Sequence, residues 1–289
     1  MTRQRSRRGV LSVLGTTTVG ALAGCVSIGG SVTEEFTRTY ETEQLTVETR
    51  VGDLTVETAD RGDVLVEGEK RASDDDQLEE LRLATADDGD SLTLRVEGDI
   101  DTSGLLFGST PRIDLDVTVP SGVTVNRLGT NTGELTAATG DAETTVETDT
   151  GDIRLTDGVT DVRTNTGGVE TREAATPTAI RTDTGDLSVE DGRLLRDVDT
   201  ETGDVEIAVP ALDDDSTIDT ETGDVTLALS PELDVTVDAE SSTGDIEVEG
   251  LGFEILAQRS GRFEGTLGDG THQVRVRSST GDVDIVPLD

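Results

Sequence analysis

Apolar and polar residues alternate with a period of two over most of this sequence, in short runs broken by a recurring Thr-Gly-Asp tripeptide. One such run is Val146-x-Thr148-x-Thr150-Gly151-Asp152-Ile153-x-Leu155. This alternation is typical of a β-strand with one buried face, and Val, Ile, Leu and Thr suit a pleated surface. No window of comparable length has the apolar spacing of an amphipathic helix. The pattern predicts an all-β protein.

The tripeptide, or a close variant, recurs every 16 to 21 residues and once more after a longer gap. Its glycines are Gly133, Gly151, Gly167, Gly185, Gly203, Gly223, Gly244 and Gly281. A fixed period of this length indicates stacked units that bury their faces against one another. Two strands and two corners fit into about 18–20 residues, with coils about 4.8 Å apart. The sequence therefore predicts a single-chain β-solenoid.

The glycine is interpreted as the corner of each coil, because a tight bend needs backbone angles that glycine adopts without steric cost. Asp beside it can hydrogen-bond nearby backbone. The two threonines before the glycine are expected to face inward and to form hydroxyl ladders. Those hydroxyls either satisfy each other and the corner backbone, which the regular recurrence favours, or form a polar binding stripe.

Residues 36–120 are predicted to be an irregular N-terminal β cap, and residues 121–289 the repeat solenoid. Within the cap we expect a helical turn over Ser73–Glu80, a hairpin over Leu81–Val96 and a strand over Ile113–Pro120. Arg61-Gly62-Asp63 is interpreted as a degenerate corner rather than an adhesion motif. The gap between Gly244 and Gly281 has room for one coil without the motif, and its Phe253 and Phe263 are expected to plug the far end of the core.

The first residues are predicted to be a processing signal outside the fold. Ser6-Arg7-Arg8-Gly9-Val10-Leu11 matches a twin-arginine export motif, and Leu22-Ala23-Gly24-Cys25 looks like a lipobox. We therefore expect residues 1–24 to be a signal peptide and residues 25–35 a lipidated Cys25 with a flexible tether. The expected location is the outer face of the cytoplasmic membrane. Cys25 is the sole cysteine, so no internal disulfide forms.

Net charge excludes one class of partner. With 62 acidic and 23 basic residues the formal charge is −39, and phosphate binding needs clustered Lys and Arg. No nucleic-acid partner is expected. Lys70 is the only lysine, and this composition resembles the proteomes of salt-loving archaea. Salt near 1 M shortens the Debye length to about 3 Å, which would screen a column of stacked aspartates.

The chain resembles the putative-adhesin, domain-of-unknown-function family of β-solenoids, often found as lipoproteins in haloarchaea. The resemblance rests on Val51-Gly52-Asp53-Leu54-Thr55-Val56, the strand Leu115–Pro120 and the Thr-Gly-Asp coils up to Val286. It covers nearly all of the chain after the signal segment. It implies a fold and an adhesin-like surface role, and it carries no established catalytic residues.

Candidate chemistry is sparse, and no catalytic residue is predicted. One histidine, His272, which is expected to be solvent-exposed, and one lysine leave little material for a nucleophile and base. Loose divalent cation binding is a minor hypothesis, with weak candidate ligands at Asp152, Asp186, Asp204, Asp224 and Asp245. No other cofactor is expected.

The favoured interpretation is a lipid-anchored, non-enzymatic scaffold or adhesin-like module, bound to the membrane through Cys25 and to an unknown surface protein or glycan. The alternatives are an extracellular enzyme acting on polysaccharide and an envelope-sensing or partner-binding protein. A groove holding clustered Asp, Arg and His would favour the enzyme, whereas a uniform surface would favour the scaffold. The oligomeric state is left open.

Overall fold

The computed structural model describes residues 31–98, 110–140, 143–172, 178–193 and 195–288. Strands dominate these residues, with one short helix near the N-terminal end. The N-terminal elements are β1 (Val32–Tyr40), β2 (Gln44–Val51), β3 (Leu54–Ala59), β4 (Val64–Ala72), α1 (Asp75–Glu80), β5 (Arg82–Asp87), β6 (Ser91–Glu97) and β7 (Arg112–Pro120).

The repeat region continues the same alternation of short strands and corners. Its elements are β8 (Thr124–Thr132), β9 (Leu135–Ala138), β10 (Thr144–Thr150), β11 (Ile153–Asp157), β12 (Val159–Thr166), β13 (Val169–Thr171), β14 (Thr178–Thr184), β15 (Leu187–Val189), β16 (Leu195–Thr202), β17 (Val205–Val209), β18 (Ser216–Thr222), β19 (Val225–Leu229), β20 (Val235–Ser241), β21 (Ile246–Val248), β22 (Glu254–Arg259), β23 (Arg262–Leu267), β24 (His272–Thr280) and β25 (Val283–Pro287).

The strands form two long sheets that enclose one core. The 12-stranded sheet has the order β1-β4-β7-β3-β9-β11-β13-β15-β17-β19-β25-β21. The 13-stranded sheet has the order β22-β23-β20-β24-β18-β16-β14-β12-β10-β8-β2-β6-β5. In the repeat, each coil gives one strand to each sheet and turns between them at a glycine. This arrangement confirms the all-β solenoid.

The coils stack in parallel and in register. Thr148 of β10 pairs with Thr130 on one side and with Thr164 on the other. Apolar residues point inward from both strands of a coil, as in Val146 and Ile153, which are fully buried. Burying one Val or Ile side chain stabilises the fold by about 1.5–3 kcal/mol, so the repeated inward positions supply a continuous core.

The N-terminal region contains the predicted local elements. α1 begins after Asp74, whose carboxylate accepts a hydrogen bond from the Gln77 amide, and β5 and β6 form the expected hairpin. Gly52 turns between β2 and β3 and lies directly below Gly133. The regular corners therefore start inside the region that the sequence assigns to the cap.

The prediction for Arg61-Gly62-Asp63 was wrong. It connects β3 to β4, and β4 runs antiparallel to both β1 and β7. Gly62 lacks the positive φ of the corner glycines. The Arg61 guanidinium instead donates to the Asp63 carboxylate at 2.8 Å, so the two charges of this segment neutralise each other.

The far end of the solenoid is closed by an antiparallel hairpin rather than by the coil expected in the gap after Gly244. β22 and β23 form this hairpin, and β23 pairs with β20. Phe263 is 1% exposed and meets Phe253 edge to face, with ring centroids 5.3 Å apart. The prediction that these phenylalanines plug the far end is confirmed.

Candidate functional site

The Gly-Asp corners form one edge of the solenoid, where the two sheets meet. At Gly203, φ is +148°, and a Cβ atom there would lie 2.1 Å from the Gly185 carbonyl oxygen of the preceding coil. The backbones of adjacent coils thus approach too closely for any side chain at the corner. Only glycine fits, which explains its recurrence.

The motif aspartates form a hydrogen-bonded ladder along this edge. The Asp186 carboxylate accepts from the Asp204 amide at 3.0 Å, and the Asp204 carboxylate accepts from the Asp224 amide at 2.9 Å. The Asp224 carboxylate in turn accepts from the Asp282 amide at 2.8 Å. A carboxylate that takes a backbone N–H makes a charge-assisted bond. The aspartate therefore ties each coil to the next.

The predicted aspartate column was wrong in its order. Gly168, which has no carboxylate, lies between Asp152 and Asp186 in the stack, and the Asp152 carboxylate accepts from the Gly168 amide at 2.9 Å. Asp282 lies between Asp224 and Asp245, and its carboxylate accepts from the Asp245 amide at 2.8 Å. Only Asp186, Asp204 and Asp224 are direct neighbours as expected.

Among the described residues, no three His, Cys, Asp or Glu side chains converge in a way that could hold a metal ion. Four of the five weak candidates, Asp152, Asp186, Asp204 and Asp224, already use one carboxylate oxygen in the ladder. Calcium takes 6–8 oxygen ligands, roughly, and one free oxygen per coil falls short of that. Loose cation binding stays a prediction.

The two motif threonines have opposite environments, which corrects the expectation that both face inward. The first of each pair is buried, as in Thr200 at 1% exposed, and the second, such as Thr202, is exposed. Four buried hydroxyls donate to a corner carbonyl: Thr130 to Gly52, Thr182 to Gly167, Ser241 to Gly281 and Ser278 to Gly223. Five others, on Thr49, Thr148, Thr164, Thr200 and Thr220, have no partner. Their burial leaves them no contact with a ligand.

A shallow groove of about 710 Å³ runs beside the ladder on the outer face of the 12-stranded sheet. Acidic side chains such as Glu206 and Asp284 line it. Arg154 is the cation at one end, and it pairs with Glu134 and Glu170. Its hydrogen bond to Glu134, together with the nearby carboxylate charges, raises the pKa of Arg154. The groove is an open acidic surface rather than an enclosed pocket.

One row of side chains crosses the outer face of the 13-stranded sheet from β6 to β23 and is charged at every position but one. In spatial order it is Arg95, Glu48, Gly129, Glu147, Arg163, Arg181, Asp199, Asp219, Arg277, Glu240 and Arg262. Ion pairs join many of the neighbours, including Arg95 with Glu48 and Arg163 with Glu147. Cross-strand pairs of opposite charge stabilise a sheet by about 0.2–1 kcal/mol each.

Gly129 interrupts this row and leaves a depression of about 380 Å³ above it. Its φ is not positive, and the nearest atom to an added Cβ would be the Glu147 carbonyl oxygen at 3.8 Å. Two other glycines within strands, Gly68 and Gly265, have the rings of Phe36 and Phe263 packed over them. No ring is packed over Gly129. The absence of a side chain there therefore leaves open space rather than room for a core residue.

Polar groups of both signs surround the depression. Glu48 and Glu147 stand on either side of it, and Arg50, Arg127 and Asn131 complete its walls. Sequence reasoning missed this feature. The available signal was a glycine at an outward position of an alternating strand, where a glycine often marks the close approach of another molecule.

His272 lies in a third feature, a slot of about 380 Å³ at the second set of corners. Leu212 and Leu233 form its apolar side, and Glu232 and Asp234 its acidic side. The expectation of a solvent-exposed histidine is wrong in degree, because His272 is half-buried. This slot is the one place where the described residues bring the histidine near carboxylates.

The export motif with Arg7 and Arg8, and the lipidation site at Cys25, lie outside the described residues. Within the part of the chain that the structure describes, no helix has the length and apolar character needed to cross a membrane.

The fold and its corners define a class: a two-sheet β-solenoid whose coils are joined by Gly corners and an Asp ladder. The chain belongs to the Toastrack DUF4097 family, whose model matches residues 31–286. No curated protein sequence matches it.

The chain is also similar to solved structures of low sequence identity. One is named a putative adhesin from Bacteroides fragilis, with 14% identity, a TM-score of 0.46, and 88% of this chain and 97% of that chain covered. Another is named a putative adhesin from Parabacteroides distasonis, with 14% identity, a TM-score of 0.43, and 89% and 97% covered. A third is named a putative lipid binding protein from Parabacteroides distasonis, with 11% identity, a TM-score of 0.39, and 86% and 96% covered.

Proposed function

We propose that this protein is a lipid-anchored surface protein whose solenoid is a non-enzymatic, adhesin-like interaction module. The carrying observation is the depression at Gly129 in the charged row of the 13-stranded sheet. It lies in a broad, regular face, and its walls offer donors and acceptors of both signs. Such a surface suits a polar partner, either a surface protein or a glycan.

The proposed anchor rests on Arg7, Arg8 and the Leu-Ala-Gly-Cys sequence that ends at Cys25. β1 begins a few residues later and forms one edge of the 12-stranded sheet, at the end of the stack opposite β21. A lipid on Cys25 would therefore hold the N-terminal end of the solenoid at the membrane and direct the hairpin end outward.

The anchor is tested by Cys25→Ser in the full-length protein. The variant should leave the membrane fraction. Its measured mass should be that of the unprocessed chain, which lacks the lipid and retains the signal segment. A variant that stays membrane-bound with an unchanged mass would refute lipidation. Arg7→Lys with Arg8→Lys should separately block export, which distinguishes the route of export from the anchor.

The interaction surface is tested by crosslinking the mature protein to cell-surface material in high salt. Gly129→Leu fills the depression from an outward position and should abolish capture of the crosslinked partner. Ala179→Leu adds the same side chain at an outward position of β14, outside the depression, and should leave capture unchanged. Equal capture by both variants would exclude the depression as the contact site.

The alternative of a polysaccharide-acting enzyme would place its site, among the described residues, in the slot that contains His272, Glu232 and Asp234. If it were correct, incubation with acidic polysaccharide would release new chain ends, and His272→Asn would stop their release. The proposal of a non-enzymatic module expects neither the release nor any effect of that variant.

A further inference from the structure

β22 is the last strand of the 13-stranded sheet, and among the described residues it pairs with β23 alone, so that its other edge has backbone N–H and C=O groups without a strand partner there. Ile255 and Leu256 lie on this strand, and each is 56% exposed. Within the part of the chain that the structure describes, these two residues are the large hydrophobic side chains that are exposed. An apolar edge strand of this kind is a template for pairing with another strand.

The other sheet edges lack this combination. β5 presents mostly charged and small residues to solvent, and β21 has only three residues. The aromatic residues of β1, Phe36 and Tyr40, are partly buried against the core. The apolar edge is therefore specific to the hairpin end.

A β-bulge shapes this edge. The register between β22 and β23 shifts between Ile255 and Ala257, so that Leu256 is the additional residue. Bulges bend a strand and limit continuous pairing with further strands. A contact through β22 is thus expected to close after one pairing instead of growing into a fibre.

The sequence of β22 is complementary to itself in the antiparallel direction. Pairing two copies about the point between Leu256 and Ala257 places Glu254 of each opposite Arg259 of the other. Neither side chain has an ion-pair partner among the described residues of its own chain, and Arg259 faces Arg262 across the hairpin. A carboxylate from a second copy would relieve that like-charge contact.

We propose that β22 is a homotypic docking strand, through which a second copy of this chain pairs antiparallel across a two-fold axis. Such an interface is self-complementary and closed. Six residues span only about 20 Å, and the contact lies below the usual size of a stable interface. We therefore expect weak association that strengthens with salt, because the net charge of −39 on each copy opposes it. A role of this contact in joining two cell surfaces would rest on the proposed function. The pairing of two β22 strands does not depend on that function.

Sedimentation velocity of the mature protein over a concentration series tests the pairing, at about 0.2 M and about 2 M KCl. Association should be stronger at high salt. At about 0.2 M KCl, where charges are screened least, Glu254→Arg and Arg259→Glu should each weaken association at least tenfold, because each places like charges opposite one another. The double variant restores the opposite charges and should return the affinity to within about threefold. Glu201→Arg makes the same change of charge as Glu254→Arg, at an exposed site on β16, and should change association only through the net charge.

Melting temperatures of all variants should match, since the changed side chains are exposed. Three results would overturn the proposal: a wild-type protein that stays monomeric at both salts, single variants that associate normally, or a folded double variant that fails to recover. Each is independent of whether Cys25 is lipidated or a partner is captured, so failure here would leave the proposed function standing.

Discussion

Replacing a corner glycine should damage this fold far more than replacing a glycine elsewhere in a strand. In Gly203→Ala the new Cβ would lie 2.1 Å from the Gly185 carbonyl oxygen and 2.6 Å from its carbon. Ordinary contact needs more than 3 Å, so the two coils would have to separate by about 1 Å. The corner hydrogen bonds cannot survive that shift intact, since the Gly185 N–H donates to the Thr202 carbonyl oxygen across the same gap at 2.9 Å.

The expected cost has two parts. A side chain at a φ of +148° costs about 1–3 kcal/mol of backbone strain. Weakening one or two buried backbone hydrogen bonds adds about 1 kcal/mol each. The sum, about 2–5 kcal/mol, is a large share of the roughly 5–15 kcal/mol that stabilises a typical domain.

Gly129→Ala is the matched control. It adds the same methyl group in the same stack, but the nearest atom would be 3.8 Å away. Because glycine weakens a strand interior by roughly 0.5–1 kcal/mol relative to alanine, this variant should be neutral or slightly more stable. Urea unfolding at constant high salt compares the two.

Hydrogen exchange locates the damage, because repeat proteins can unfold coil by coil and a single midpoint can mislead. In Gly203→Ala, exchange should accelerate first at the amides of Gly185 and Asp204, whose hydrogen bonds cross the forced separation. Equal unfolding midpoints for Gly203→Ala and Gly129→Ala, with unchanged exchange at the corner, would refute the reasoning.

Three further changes test the ladder, the buried row and the cap. Asp204→Asn keeps an oxygen for the Asp224 amide and removes one charge, so its melting temperature at low salt should equal or exceed that of the wild type. Asp204→Ala removes that oxygen and should lower the free energy of unfolding by about 1–2 kcal/mol in calorimetry. Equal losses in the two variants would contradict the ladder. Thr200→Val removes a buried hydroxyl without a partner and should raise the free energy of unfolding in urea by about 1 kcal/mol. A lower free energy of unfolding would show that the hydroxyl is hydrogen-bonded. Phe263→Leu should lower the free energy of unfolding by about 1–3 kcal/mol, and hydrogen exchange should accelerate in the hairpin before it does in the coils. Uniform acceleration of exchange would argue that the hairpin does not cap the solenoid.

The sequence predicted the parts of the fold that depend on local chemistry. Alternation located the strands, because each strand buries every second residue. Gly203 and its equivalents located the corners, because glycine alone permits the approach of two backbones. The hairpin of β5 and β6 and the helix after Asp74 also have local causes.

Local pattern was insufficient where the corner itself reorients the chain. Thr200 and Thr202 look equivalent in the alternation, but the alternation breaks at the end of β16, where Glu201 and Thr202 are both exposed. The role of Asp204 is likewise invisible in one coil, since its hydrogen-bond donor belongs to the next coil. The depression at Gly129 depends on side chains from three neighbouring strands.

Stacked coils with glycine corners follow from the sequence alone, because each coil contains the residues that its strands and bend require. The order of the coils in the stack depends on long-range pairing. The corner of Gly281 lies between those of Gly223 and Gly244, so the last coil in the sequence is not the last in the stack. The corner glycine recurs from coil to coil, so the motif alone does not specify which coils are neighbours. The antiparallel hairpin decides between them, because β23 covers one edge of β20 and leaves the other edge free for β24.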